Sequence, residues 1–456
     1  MCNAPGKTCY TRETKRPHSG RMPDLLPLAA TPATAAGDTA WLLAAAALVL
    51  LMAPGLAFFY GGMVRSKSVL NMMMMVFGAL AVVMVVWVLA GYSLAFGDDI
   101  GGGLLGDPTQ YLGFRDMLAP DPDADYPITL FAAFQGLFAV ITVGLIAGAI
   151  ADRTRFGTWL LFAGLWTLLV YAPVAHWIFG GGWMQERLGA LDFAGGTAVE
   201  INSGAAGLAA ALVLGRRVGF GRDPMKPHNL TLVMVGAGLL WFGWFGFNAG
   251  SALAADNTAA IVFVNTLLAG CTGLLAWLGV ERFRDGHATS FGAASGVVAG
   301  LVAITPSCGA VTPIGAMLVG VAAGAICALA VGLKYTFRYD DSLDVVGVHL
   351  VGGLVGTILI GLLASTSVTG VDGLFYGGGT GQLGRQLVAA GATLVFSFVM
   401  TALLLWVLER TVGFRVDPDH EVAGVDLVIH AETAYDLHAT GGARPHFGPG
   451  TGTLHP

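Results

Sequence analysis

The chain has 456 residues, of which 55% are hydrophobic and only 11% charged, with 67 glycines and a formal net charge of −6. A soluble domain carries about 25% charged residues, so the composition excludes that class. It points instead to a polytopic membrane protein whose glycines let helices approach closely, in which net charge reports sidedness rather than partners and no nucleic-acid partner is expected.

Residues 1–38 are polar, rich in Pro and Thr, and carry Lys7, Arg12, Lys15, Arg16 and Arg21. They lack the continuous apolar core of a signal peptide and are expected to form a disordered extension. Eleven apolar runs follow, at about 39–63, 68–96, 128–151, 157–179, 194–215, 229–249, 258–281, 291–304, 311–333, 345–365 and 386–409. Most reach the roughly 20 residues that a membrane-spanning helix needs. The eighth is short and is expected to break at Pro306. These runs predict an all-α transmembrane domain of eleven helices over 39–410 in a multi-pass protein of the cell (inner) membrane. Residues 411–456 are expected to be a cytoplasmic tail.

Basic residues alternate between loops. One set holds Arg65, Lys67, Arg153, Arg155, Arg216, Arg217, Arg222, Lys226, Arg282, Arg284, Lys334 and Arg338; the other holds only Arg115, Arg187 and Arg385. The positive-inside rule assigns the first set to the cytoplasm, with the N-terminus out and the C-terminus in. The loop near 97–126, with Asp98, Asp99, Asp107, Asp116, Asp121, Asp123 and Asp125, then lies outside. Five basic residues on an outside N-terminus conflict with that rule. A start at Met22 rather than Met1 would remove all five, and Met22 is the expected start.

The two halves carry a repeat. Setting Glu200 on His349 places Asp192 on Asp341, Gly204 on Gly353 and Gly207 on Gly356. Setting Leu51 on Leu240 likewise places Phe58 on Phe247 and Gly61 on Gly250. Spans one to five and six to ten have opposite orientation, which predicts an inverted repeat of five plus five with the eleventh helix as a brace. Equivalent helices of such repeats meet near the midplane.

Glu200 and His349 therefore fall at matching depths in two apolar spans. Ionisable residues there are costly and are functional candidates by default. They are either a buried pair that fixes helix register or a pore-lining pair that handles a proton or small polar solute and titrates as a unit. Asp192 precedes its helix and is expected to cap it by accepting from Ala194 or Gly195, while its charge favours a cation nearby. Asp344 is expected to cap or anchor the tenth span. Phe134 and Phe138 share a helix face. Trp241, Phe242, Trp244, Phe245 and Phe247 crowd the end of the sixth span, and Phe179 and Trp183 flank Gly180-Gly181-Gly182. Any one of these rings could be packing alone; converging on an outer mouth, they could hold a small cation by cation–π attraction, with Ser251 adding a hydroxyl acceptor. His176 reads as structural. The five cysteines form no CxxC and no His-linked cluster, so no metal site, disulfide framework or cofactor is expected. No nucleophile–base pair or phosphate loop suggests an enzyme.

Six stretches carry a resemblance: Asp192–Asn202 (DFAGGTAVEIN), Trp241–Ser251 (WFGWFGFNAGS), Thr305–Gly309 (TPSCG), Asp344–His349 (DVVGVH), Phe134–Phe138 (FQGLF) and the tail near Gly424–Tyr435. With Phe58–Met63 they make the chain resemble an ammonium transporter of the Amt/Mep/Rh superfamily over nearly all of 39–436. The resemblance implies an eleven-helix protomer, a homotrimer and a narrow apolar pore in each protomer. It assigns Phe138 and Phe247 to the stacked gate, and Phe138, Phe179, Ser251 and Asp192 to the ammonium-binding vestibule. Glu200 and His349 fall in the pore, with Phe134, Trp244 and Thr305 lining or supporting it. The tail resembles the segment that meets PII-type nitrogen regulators. Two positions depart from the common bacterial pattern: Glu200 stands where a first pore histidine is usual, as in some fungal members, and Phe179 stands where Trp is common.

The function this implies is ammonium transport. The cation docks at the aromatic vestibule and loses its proton, ammonia crosses the apolar pore, and the proton follows through Glu200 and His349. An ammonium sensor with little flux, or a passive ammonia channel of Rh type, are the alternatives.

Overall fold

The computed structural model describes residues 33–119, 121 and 124–435. Among these residues, eleven helices are long and apolar enough to cross a membrane. Numbered in chain order, spans 1 to 5 are Ala35–Met63, Val69–Phe96, Ile128–Ala149, Phe156–Leu188 and Gly196–Leu214. Spans 6 to 11 are Leu230–Gly250, Asn257–Asp285, Ser290–Ser307, Pro313–Phe337, Val346–Leu363 and Gly381–Thr411. The protein is an all-α multi-pass membrane protein. A helix satisfies its own backbone, which is what a bilayer demands of any spanning segment. Large apolar side chains such as Leu43, Val85, Leu275 and Ile314 face outward, while Glu200, Asn202, Asn248, Thr305 and His349 are buried. An apolar outer surface over an apolar interior that holds a few polar groups is what a bilayer, unlike water, permits.

Boundaries differ from those read in the sequence at several points; span 4, for one, runs to Leu188 rather than 179. The first helix begins at Ala33, inside the stretch expected as an extension; residues 1–32, Met22 among them, lie outside the described residues. Pro306 does not break span 8. It sits in the last helical turn, so the N–H it lacks and its ring's clash with the preceding turn disturb only the helix end. It is also used there: a side chain at Gly196 would collide with its ring, and its carbonyl accepts from Phe193 N at 3.0 Å. Span 11 begins at Gly381 rather than 386, and so takes in Gln382 and Arg385 as well.

The repeat is physical. Span 1 packs along span 6, and span 5 along span 10. A Cβ on Gly236 would strike the Phe59 backbone, so the absence of a side chain sets the span 1–span 6 distance. Between spans 5 and 10, Gly204 lies against Leu350, Gly353 against Ile201, and Gly207 against Val345. Numbers that rise on one helix fall on the other, so the pair is antiparallel, and the aligned glycines occupy equivalent positions in it. Span 3 packs on span 5 as span 8 packs on span 10.

The loops after spans 1, 3 and 5, and the one before span 10, gather on one face, the basic face. Arg65 Nε and Arg217 Nη1 both donate to Asp152 Oδ2, at 2.9 and 3.1 Å, and Arg217 Nη2 donates to Asp340 Oδ1 at 2.8 Å. Arg153, fully buried, donates to the Asp340 carbonyl at 2.7 Å. Burial pulls the Arg153 guanidinium down to about 10, against the pull of Asp340. Burial also pushes the Asp340 carboxyl up, but Arg217 and Arg153 outweigh it and hold it below its ordinary value. The described part of the tail docks on this face. Glu421 accepts from Val218 N at 2.7 Å and from Arg415 Nη2 at 3.1 Å, and Asp426 accepts from Leu70 N and Asn71 N at 2.9 and 2.7 Å, capping span 2. The opposite face carries Asp98, Asp99 and Asp107 and is the acidic face. Two short antiparallel strands, Asp99–Ile100 and Leu105–Gly106, pair there.

Candidate functional site

The site is built at the contact of spans 5 and 10, and each span enters it the same way. Ahead of span 5, Asp192 Oδ1 accepts from Gly195 N and Gly196 N at 2.8 and 2.7 Å. Its Oδ2 accepts from Thr197 N at 2.7 Å and from the Thr197 hydroxyl. Ahead of span 10, Asp341 accepts from Val345 N and Val346 N at 3.1 and 2.7 Å. Gly195, though not Ala194, is thus the expected donor to Asp192. The cap of span 10 is Asp341, not Asp344. Asp344 instead pairs with Lys334 Nζ at 2.6 Å, from a backbone at φ 65°. The reason is reach: in both halves the cap sits one loop turn ahead of the helix, where its oxygens meet the unpaired first-turn N–H groups. Burial pushes the Asp341 carboxyl up to about 6, with Lys334 opposing.

Both helices then begin as π turns, Gly196–Ile201 and Val346–Leu350. A π turn is wider than an α turn and is common at functional positions. Each presents its ionisable residue toward the other helix. His349 Nδ1 lies 2.7 Å from Glu200 Oε2. The two residues are only 4% and 1% exposed, so their charges are solvated mainly by each other. With Glu200 ionised, Nδ1 carries the shared hydrogen and Nε2 is the atom left to exchange a proton. A narrow cavity lined by Phe59, Tyr60, Ser295, Asp344 and His349 continues toward the basic face.

Toward the acidic face the rings of Phe138 and Phe247 stack with centroids 4.1 Å apart and planes 25° from parallel. Phe134 meets Phe138 edge-on at 4.9 Å. Ser251 Oγ donates to the Phe247 carbonyl at 2.8 Å, which spends its hydrogen and leaves the oxygen as an acceptor. Beneath the stack, Trp244 Nε1 donates to Thr305 Oγ1 at 2.8 Å, and Thr305 Oγ1 lies 3.3 Å from Asn248 Oδ1. Asn248 escaped the sequence reading because one buried amide in an apolar run carries no signal without its neighbours.

Not every predicted ring converges. Phe242 is 59% exposed, and Phe245 stacks on Phe263 at 4.2 Å. Trp244 and Phe247 share a face at i, i+3 while the others point away, as helical periodicity requires. Phe179 lines a cavity of about 350 Å³ on the acidic side together with Asp192, Phe193, Pro306 and Gly309. Phe138 and Ser251 do not line that cavity. His176 is buried between Ala95 O at 3.0 Å and Asp99 Oδ1 at 3.3 Å, tying span 4 to the acidic loop.

The profile of the Ammonium Transporter Family matches residues 40–435. The chain belongs to that family. It is 55% identical over 438 residues to an ammonium transporter of Mycobacterium tuberculosis, covering 89% of this chain and 92% of the relative. An ammonium transporter of Bacillus subtilis is 48% identical over 410 residues, covering 88% and 98%. Among solved structures, Saccharomyces cerevisiae Mep2 matches with TM-score 0.79 and 38% identity over 84% of this chain and 88% of that one. A sensor Amt protein matches with TM-score 0.79 and 28% identity over 86% and 98%. The ammonium transporter family match spans every element of the site, from the Phe134–Phe138 helix to the docked tail.

Proposed function

We propose that the chain carries ammonium across the membrane as ammonia plus a proton. The observation that carries this reading is the 2.7 Å contact between Glu200 and His349 inside an otherwise apolar interior. A bare cation does not cross such an interior, because burying an unpaired charge is prohibitive. Neutral ammonia crosses at far lower cost. The cation is drawn to the acidic side by Phe179 and the field of Asp192 in their cavity, docks at Phe138 and Ser251 beside the stack, and loses its proton. Ammonia passes the Phe138–Phe247 stack, and the proton follows through Glu200 and His349. Net movement is electrogenic. The acidic face is outside and the basic face cytoplasmic, following the charge bias. Homotrimeric assembly and a PII-type regulator at the basic face complete the proposal.

Two other readings stay in view of the test. The resemblance to a sensor Amt protein supports a sensor with little flux, and the apolar path suits a passive ammonia channel. Solid-supported membrane electrophysiology on purified protein in liposomes separates the three. Ammonium pulses that evoke sustained currents support the transporter. Binding transients without sustained current indicate a sensor, and ammonia flux without charge indicates a passive channel.

A further inference from the structure

Span 11 lies outside the repeat, yet it touches the entrance of the site. Gln386 is fully buried, and its amide is read by one residue on both sides. Gln386 Oε1 accepts from Leu191 N at 2.8 Å, and Nε2 donates to Leu191 O at 2.7 Å. Nε2 also lies 3.3 Å from the Thr357 carbonyl in span 10. Gln382, one turn earlier, donates to Gln386 Oε1 at 3.0 Å and to Gly189 O at 3.3 Å, and takes a hydrogen bond from Arg385 at 3.2 Å. Residues 189–191 belong to no helix or strand, so their buried backbone groups need partners from elsewhere. The two glutamines supply them, as a neighbouring strand would.

The segment so held leads directly into Asp192. Gly189, Ala190, Leu191 and Asp192 form one wall of the acidic-side cavity that Phe179 also lines. Asp192 in turn caps the π turn that carries Glu200. We propose that Gln386, backed by Gln382, is a positioning residue for ammonium entry: it fixes the Gly189–Asp192 wall against span 10 and thereby sets where the cap and the cavity stand. Gln386 touches no solute itself. It acts through Leu191 and Asp192. The inference rests on the transport reading for its site, but not on flux.

The test is Gln386→Met in the full-length protein in liposomes, which keeps the side-chain length and removes the amide. The half-saturating ammonium concentration rises about fivefold, the worth of one lost buried hydrogen bond, while the maximal current changes less than that. Thr393→Val on the same buried helix face is the control: its hydroxyl has no hydrogen-bond partner among the described residues, and it leaves both quantities unchanged. Combined with Asp192→Asn, Gln386→Met adds less than its separate effect, because both act on one segment. An unchanged half-saturation in Gln386→Met, an equal shift in Thr393→Val, or full additivity with Asp192→Asn overturns the proposal. If Gln386→Met does not fold, Gln382→Met is read instead; it shifts half-saturation in the same direction, and no shift overturns the proposal. Ammonium-dependent stabilisation of the melting temperature is measured alongside. Should the wild type show no current, the transport reading falls, and the shift in the ammonium concentration needed for stabilisation still decides the role of Gln386.

Discussion

Glu200 and His349 form a single hydrogen-bonded unit, so a change at one is a change in the charge of the pair. A carboxylate here places a negative site in the conduit that an imidazole would not, and such a site attracts a partly dehydrated cation. Potassium is therefore expected to compete with ammonium and lower its currents in the wild type, and to compete less in Glu200→His, with ammonium currents retained. Ammonium currents that potassium leaves equally untouched in both proteins would argue against this role of the carboxylate. In the proposed mechanism the Phe138–Phe247 stack sets a size limit above the pair. Phe247→Ala opens it and narrows the discrimination against methylammonium by about tenfold, the scale at which an apolar pocket senses one methyl group; competition between the two solutes in uptake assays reads this directly. At this scale the sequence was informative where a residue is costly. A mid-span acid and a mid-span histidine declare themselves. Asn248 does not, nor does the spent hydroxyl hydrogen of Ser251, because both depend on which neighbours the fold supplies.

Each of the two central helices is started by an aspartate and opened by a π turn. The aspartates were legible from the repeat alignment, which set Asp192 on Asp341. Asp344 reads as a cap or a loop anchor, and it is the second: it pairs with Lys334 while Asp341 meets the first-turn N–H groups. The π turns have no sequence signature. The caps are worth about 1–2 kcal/mol each, so Asp192→Ala and Asp341→Ala both lower the melting temperature in detergent. The pH dependence of Asp341 has a definite sign. Its folded value, about 6, lies above the ordinary carboxylate value of 3.8, so the native state binds its proton more tightly than the unfolded state does. Its burial then costs stability above about pH 6, and that cost is relieved as pH falls through 6 toward 4. The melting temperature of the wild type relative to Asp341→Asn rises between pH 7 and pH 5; a difference flat across that range contradicts the assignment. Span 11 starts ahead of the apolar run at 386–409 because hydropathy does not mark Gln382 and Arg385 as helical; there Gln382 donates to Gln386 and to the Gly189 carbonyl.

The whole molecule joins its halves along spans 1 and 6 and spans 5 and 10, with polar ties that include the Glu200–His349 contact in the middle and the charged network on the basic face. The fold class, the eleven spans and the inverted pairing all followed from hydropathy and an alignment of two short stretches. The network did not, since Asp152, Arg217 and Asp340 lie in three separate loops and read as ordinary sidedness charges. Removing one partner of a buried pair leaves the other uncompensated and costs about 3–5 kcal/mol, so Arg217→Met destabilises the protein strongly and loosens the tail held through Val218 and Glu421, seen as faster proteolysis after residue 411. Because Asp340 is held below its ordinary value, its contribution is present above pH 4 and is lost only as pH falls further. The central claim is that the proton and ammonia part company and that Glu200 with His349 carries the proton. Simultaneous measurement of charge and isotopically labelled ammonium entering proteoliposomes tests it most directly. The account predicts one charge per ammonium in the wild type and labelled flux without charge in Glu200→Ala/His349→Ala; a wild type that moves label without charge, or a double variant that still moves both together, would contradict it.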